Sequence, residues 1–198
     1  MTEYILGLDP SNKATAYCLI ELPSLKPIAF GFMEADEMLN YVEKLPKEYN
    51  GYNVHLAIEG IENLGMTVGK TVFDTCMLVG RLLERGYLAG RLNEETLIAE
   101  DEDIFGEPIY DEWIVGGDYY KDIKLIYRRQ EKMNLCNTMR SKDKDIRQAL
   151  IDRFARGVPN GGKGSKAEQG WFYGFRADIW SAYAVATTYY DLYLKQSN

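Results

Sequence analysis

Three carboxylates in this chain sit where an acid needs a reason. Asp9 closes the apolar run YILGL, Glu59 closes VHLAI, and Asp178 opens the last helical stretch. Side by side, two strands ending in Asp9 and Glu59 would put both carboxylates on one sheet edge, and a helix starting at Asp178 would bring a third across from them. Acids so close together repel, and a hard divalent cation such as Mg²⁺ or Mn²⁺ offsets the repulsion through oxygen ligands. Two such ions about 4 Å apart activate water and steady a leaving oxygen in phosphodiester cleavage. Each acid also has a plain structural reading: Asp9 as a turn former before Pro10, Glu59 as a strand-end surface acid, Asp178 as a helix N-cap. Taken together, in this order of elements, they favour the metal.

The elements that must position these acids follow from patterning. Residues 4–8, 15–20 and 28–33 are candidate strands separated by short turns, as in an antiparallel meander. Residues 35–48 switch to helical spacing, with Met38, Leu39, Val42 and Leu45 on one face and Pro46 closing the helix. A buried strand is expected at 54–58. A helix is expected over 71–84, with Val72, Phe73, Cys76, Met77, Val79, Leu82 and Leu83 at helical spacing and Gly86 stopping it. Residues 94–122 lack periodicity and read as an inserted loop or irregular arm. A strand at 123–127 precedes a helix capped by Ser141 and running to Phe154, with Ile146, Leu150 and Phe154 inward. Five glycines and a proline at 157–170 predict mobility, and the last helix spans 178–194.

Composition narrows the class. A chain of 198 residues, 46% hydrophobic and 27% charged, can bury a core, so residues 1–198 are read as a single domain with an acidic insertion at about 94–122. No apolar run is long enough for a membrane helix, and MTEYILGLDPSNK lacks the pattern of a signal peptide. Cys18, Cys76 and Cys136 are widely spaced and read as reduced, mostly buried thiols of a cytosolic protein. The net charge of −7 conceals a division: residues 94–122 carry one basic and eleven acidic side chains, whereas 123–176 carry thirteen basic and five acidic. A basic block of that size can hold phosphate although the whole chain is acidic. It can also be no more than a solvated face.

The element order and the acids resemble the RNase H-like nuclease fold, and the sequence is similar to the RuvC-type Holliday junction resolvases, in particular their phage and prophage branch. The segments carrying the likeness are ILGLDPSNKATAYCLIE (5–21), LAIEGIENLGMTVGKTVFDTCMLVGRLLE (56–84), KDKDIRQALIDRF (142–154) and DIWSAYAVA (178–186). The resemblance implies an α/β chain with a central five-stranded mixed sheet flanked by helices. It also implies a homodimer in the cytoplasm (of a bacterial host, if phage-encoded) that cuts four-way DNA junctions in recombination and repair using Mg²⁺, with Mn²⁺ able to substitute. Asp9, Glu59 and Asp178 match the family's acids, whereas its fourth acid falls at Ser181. A hydroxyl there holds a metal ion only weakly, through water, so a fourth acid would have to come from elsewhere, with Asp145 a remote candidate. The family's aromatic wedge has no counterpart in GIENLGMTVG, which leaves Leu64 or Met66 for that place. Arg140, Lys142, Lys144 and Arg147 match a region that contacts DNA phosphates, and Lys70 is a further candidate near Glu59. Arg147 has Asp143 as an alternative partner.

Two rivals keep the same residues. One is a nuclease of the same fold acting on flaps, forks or RNA–DNA hybrids. The other is a non-cleaving DNA-binding or interaction protein, which Ser181 encourages. Other motifs carry less. GMTVGKT has three residues between its glycines where a phosphate loop needs four. His55 is the single histidine and lies within an expected strand, where a structural role is favoured. The aromatic residues Trp180, Tyr183, Tyr189, Tyr190 and Tyr193 read as core or dimer packing.

Overall fold

The computed structural model describes residues 2–49, 53–62, 68–89, 101–102, 108–109 and 120–195. The meander forms as β1 (Tyr4–Asp9), β2 (Thr15–Glu21) and β3 (Lys26–Met33), followed by α1 (Ala35–Glu48), β4 (Val54–Gly60) and α2 (Lys70–Leu88). Within the acidic insertion, β5 (Asp101–Glu102) pairs antiparallel with β6 (Pro108–Ile109), a two-residue ladder where the sequence predicts no strand. Then come β7 (Asp122–Tyr127), α3 (Arg128–Cys136), α4 (Asp143–Phe154), the single turn α5 (Pro159–Gly162) and α6 (Ile179–Tyr189), continued as a π turn over Tyr190–Leu194.

The main sheet has the order β3-β2-β1-β4-β7. The meander is antiparallel, whereas β1 pairs parallel with β4 and β4 parallel with β7. Both faces of the central strands are covered, so β1 and β4 read as nearly continuous apolar runs. On one face Leu6, Leu8, Leu56 and Ile58 pack with Met38, Val42 and Leu45 of α1 and with Leu78 and Leu82 of α2. On the other, Ile5 and Ala57 meet α6, whose residues are buried nearly all round.

Two glycines set how closely the helices approach. A Cβ on Gly7 of β1 would lie 2.2 Å from the Ala182 carbonyl oxygen of α6, so only glycine lets that helix rest directly on the strand. A Cβ on Gly86 of α2 would stand 2.8 Å from Leu56 and 2.9 Å from Ile123. Gly86 therefore serves packing, and the helix runs past it to Leu88.

The structure corrects several expectations. Pro46 lies inside the last turn of α1 without ending it. Its missing N–H leaves the Val42 carbonyl without a helical donor, and Tyr120 Oη supplies one at 2.7 Å. On α2, Phe73, Cys76 and Met77 are exposed, and Thr75, Leu78, Val79, Leu82 and Gly86 form the buried face. Of the cysteines only Cys18 is buried; Cys76 is exposed and Cys136 is half-buried. The N-cap of α4 is Lys142, while the Ser141 hydroxyl donates to the Thr138 carbonyl at 2.8 Å.

The glycine-rich segment 157–170 is tied down by hydrogen bonds. Gly170 N–H donates to the Lys163 carbonyl, Phe172 N–H to the Gly162 carbonyl, and Asn160 Nδ2 to the Gly164 carbonyl. Gly162 and Gly164, at φ of 82° and 69°, make tight turns there. The strand β7 runs straight into α3, a helix whose polar residues offer no apolar stripe to betray it.

Candidate active site

The parallel register pairs Leu8 with Ile58, which sets the ends of β1 and β4 level and Asp9 beside Glu59. Side chains alternate along a strand, so Asp9 shares its face with Gly7 and Glu59 shares its face with Ala57, both toward α6. The two carboxyl groups hydrogen-bond each other, so one of them carries a proton. Burial pushes both well above the usual carboxylate range. The charge of Glu59 raises Asp9 further, and that of Glu131 raises Glu59.

Asp178 is the N-cap of α6, exposed, and its charge also raises Asp9 across the gap that Gly7 keeps narrow. The residue before it, Ala177, takes the left-handed region at φ 40°, which a residue with a side chain adopts at a cost. Ser181 is half-buried and stands three residues along the helix from Asp178.

Two further residues belong to this cluster: Glu131, which does not stand out in the sequence patterning, and Arg128, which shows there only as a cation of the basic block. Glu131 of α3 is fully buried. Its Oε2 accepts from Arg128 Nη1 at 2.6 Å, and its Oε1 is buried with no hydrogen-bond partner. Burial raises the Glu131 carboxyl to about 8, against the pull of Arg128 and with the charge of Asp9 adding to the rise. The second Arg128 nitrogen donates to Asp143 at the start of α4. Burial works against the Arg128 charge, but Glu131, Glu59 and Asp143 outweigh it and hold the guanidinium charged. A signal for this pair exists: an Arg and a Glu at i,i+3 directly after a strand, in a block otherwise poor in acids.

As donors these groups suit a hard cation. They are carboxylate oxygens, two of them share a proton that an ion would replace, and one buried oxygen has no partner. As they stand, no three His, Cys, Asp or Glu side chains among the described residues converge on one point that could hold an ion. Asp9 and Glu59 are in direct contact, whereas Asp178 and Glu131 act on them through charge. Asp145, the remote candidate for a fourth acid, is committed elsewhere: its carboxylate accepts from the Lys142 N–H at 2.8 Å and caps α4.

The basic candidates distribute around the start of α4. Arg140, Lys142, Lys144 and Arg147 are all exposed. The Arg147 guanidinium lies 4.6 Å from the centre of the Trp180 ring, and Asp143 is taken by Arg128 in place of the alternative Arg147–Asp143 pairing. Lys70 opens α2 and pairs with Asp74 at 2.6 Å on an exposed face. Leu64 and Met66 lie outside the described residues. His55 is buried between Tyr189 Oη at 2.8 Å and Glu3 Oε2 at 3.1 Å, in keeping with a structural role. Among the described residues, no helix is long and apolar enough to cross a membrane.

No protein-family model matches the sequence, and no curated protein matches it. Solved structures do match the fold. One is T. thermophilus RuvC in complex with Holliday junction substrate, at TM-score 0.56 and 9% identity, covering 96% of this chain and 94% of that one. Another is a Thermus thermophilus RuvC structure at TM-score 0.56 and 10% identity, with 95% of each chain covered. The five-stranded mixed sheet with its flanking helices is the RuvC, RNase H-like fold.

Proposed function

We propose that this chain is a divalent-metal-dependent endonuclease that resolves four-way or otherwise branched DNA, with Asp9, Glu59 and Asp178 as its metal-holding acids. The observation that carries this reading is the contact between the Asp9 and Glu59 carboxyls at the level ends of two parallel strands, with the charge of Asp178 close by. Mutual repulsion of close-set acids destabilises a fold and serves no packing purpose here. A bound Mg²⁺ or Mn²⁺ supplies the positive charge that lets the acids ionise together and the Lewis acidity for phosphodiester hydrolysis. Asp9 and Glu59 would hold it between strands, Asp178 would reach it from α6, and the Ser181 hydroxyl would contribute through water.

DNA would approach along α4. Asp143 touches Arg128, so the start of α4 abuts the acid cluster, and Arg140, Lys142, Lys144 and Arg147 lie on the exposed surface around it. Those cations would grip phosphates and set the position of the backbone while reading little sequence. Lys70 would serve the same end from α2.

A four-way junction offers two equivalent strands, and the described residues hold one such acid cluster, so the reading calls for two copies. The exposed face of α2 suits a second copy: Phe73, Met77 and Tyr87 are 62%, 63% and 60% exposed, and at Gly80, between them, a Cβ would meet nothing.

The test is cleavage of a labelled mobile four-way junction in Mg²⁺ and in Mn²⁺, beside duplex, splayed-arm and RNA–DNA hybrid substrates. Paired symmetric nicks confined to the junction, and lost in Asp9→Asn, are the expected result. Cutting of the splayed arm or the hybrid instead would keep the metal site and replace the substrate. Junction binding with no cutting in either metal would make the protein a binder, the reading that the hydroxyl at Ser181 favours.

A further inference from the structure

We propose that Glu131 is the fourth carboxylate of the site, standing in for the acid absent at Ser181, and that Arg128 is its resident counter-charge, which a divalent cation must displace. The inference deepens the metal-dependent reading and rests on it. It starts from a pairing of facts: Glu131 has no exposed surface, one of its oxygens accepts from Arg128 at 2.6 Å, and the other is buried without any partner, a pattern shared by the less buried Glu62 beside Arg129. A buried carboxylate oxygen left bare costs free energy, and native proteins rarely keep one without use for it.

Its direction is given by its neighbours. The β4–β7 ladder ends at Gly60 and Tyr127, one residue beyond Glu59 and one before α3, so Glu131 lies at the same sheet edge as the strand-end acids, and the charges of Glu131 and Glu59, and of Asp9 and Glu131, act on one another. The local chain explains how it arrives there. Gly60 pairs with Tyr127 at the end of the β4–β7 ladder, and α3 begins at the next residue. The N–H of Tyr127 is capped by Gln130 Oε1 at 2.8 Å, which fixes the first turn, and Glu131 follows at the fourth helical position.

Arg128 then bridges two elements, giving one nitrogen to Glu131 and the other to Asp143 of α4. Its charge also acts on Asp9 and Glu59. A guanidinium amid four carboxylates neutralises them as a metal ion would, but as a fixed, singly charged fork it cannot be shared equally. With Glu131 turned over to a divalent ion, the guanidinium keeps Asp143, which is exposed and close to the lysines of α4. Arg128 is thus a positioning residue whose two acids separate the loaded state from the empty one.

The two halves of the proposal make opposite predictions, which a merely structural ion pair would not. Mn²⁺ alone is titrated into the intact chain at pH 8, with free Mn²⁺ read by electron paramagnetic resonance and folding checked by circular dichroism. Glu131→Gln keeps the shape and an acceptor for Arg128 but weakens Mn²⁺ binding, by about tenfold or more. Arg128→Met removes the competitor and tightens it, by about threefold or more. Asp9→Asn abolishes binding and reports on the site as a whole. Binding within twofold of the unsubstituted protein in Glu131→Gln, while Asp9→Asn still abolishes it, overturns the proposal and leaves the metal-dependent reading standing. Weakening by both Glu131→Gln and Arg128→Met overturns it as well, because the pair would then be structural. Failure of the unsubstituted protein to bind Mn²⁺ overturns both. If Glu131→Gln does not fold, Arg128→Met decides alone: tightening supports the proposal and weakening overturns it.

Discussion

The proton that Asp9 and Glu59 share ties the stability of the metal-free fold to pH. Burial first, and then the charges of Glu59 and Asp178, push Asp9 from an ordinary 3.8 up to about 9. Between those values the folded protein keeps a proton that the unfolded chain releases, so this group makes the metal-free fold less stable as pH rises through the window. Asparagine has no proton to lose. Metal-free Asp9→Asn is therefore expected to be more stable than the unsubstituted protein at pH 8, by about 1–3 kcal/mol, with the gain shrinking toward pH 5. Urea unfolding at the two pH values measures it, and a gain that does not change with pH would count against the shared proton. His55 runs the other way. Burial lowers its pKa from 6.5, so below that pH the unfolded chain takes up a proton that the folded side chain resists, and stability falls. His55→Asn should lose less stability than the unsubstituted protein between pH 7.5 and 5.5. The readout is the difference between the two proteins, since the acid pair contributes an opposite slope to both. Equal losses would mean that the folded imidazole takes up its proton as readily as the free one.

At the scale of elements, the site depends on how closely α6 lies on β1. Gly7 has the Ala182 carbonyl where its Cβ would be, and Asp178 is one turn before Ala182 on the same helix. Gly7→Ala is expected to lift α6 from the sheet, cost about 1–3 kcal/mol in urea unfolding and, under the proposed function, weaken Mn²⁺ binding by moving Asp178. Unchanged stability would mean that the helix shifts freely. The same geometry explains what is legible in the sequence. The apolar strands with their terminal acids announce β1, β4 and their neighbourhood, because burial on both faces and a carboxylate at the end are local signals. The predominantly apolar α6 is equally plain. Helix α3 is not, since six of its nine residues are polar, Met133, Leu135 and Cys136 form no helical stripe, and its one buried side chain is a glutamate. With α3 hidden, Glu131 is hidden too, Arg128 shows only as one more cation of the basic block, and the sequence offers Asp145 as the remote fourth acid although that residue caps α4. The exposed apolar face of α2 escapes for a related reason: helical spacing fixes which residues share a face but not whether that face meets the sheet or something outside the chain.

At the scale of the whole molecule, α2 presents two apolar faces. Thr75, Leu78, Val79, Leu82 and Gly86 pack inward, while Arg81 and Arg85 pair with Asp36 and Glu43 of α1 and fix the helix against its neighbour. Phe73, Cys76, Met77, Gly80 and Tyr87 remain outside, spaced so that they form one stripe down the helix, with the exposed Glu84 the one charge set in it between Gly80 and Tyr87. Large apolar side chains left on a stripe of this kind favour association, and the bare backbone at Gly80 allows two such helices to approach closely. A two-fold contact between copies would use the same stripe on each. Met77→Glu places a charge at its centre without touching the buried face. Under the proposed two-copy arrangement, it is expected to leave a monomer in sedimentation velocity, with thermal stability measured at low concentration nearly unchanged. Under the proposed function, the variant should also nick one strand of a four-way junction without the paired second cut. If Met77→Glu remains dimeric, the second copy docks elsewhere. If the unsubstituted protein is already monomeric at micromolar concentration, paired cutting would have to come from two independent encounters, and the nicks would then appear one after the other with no coupling between them.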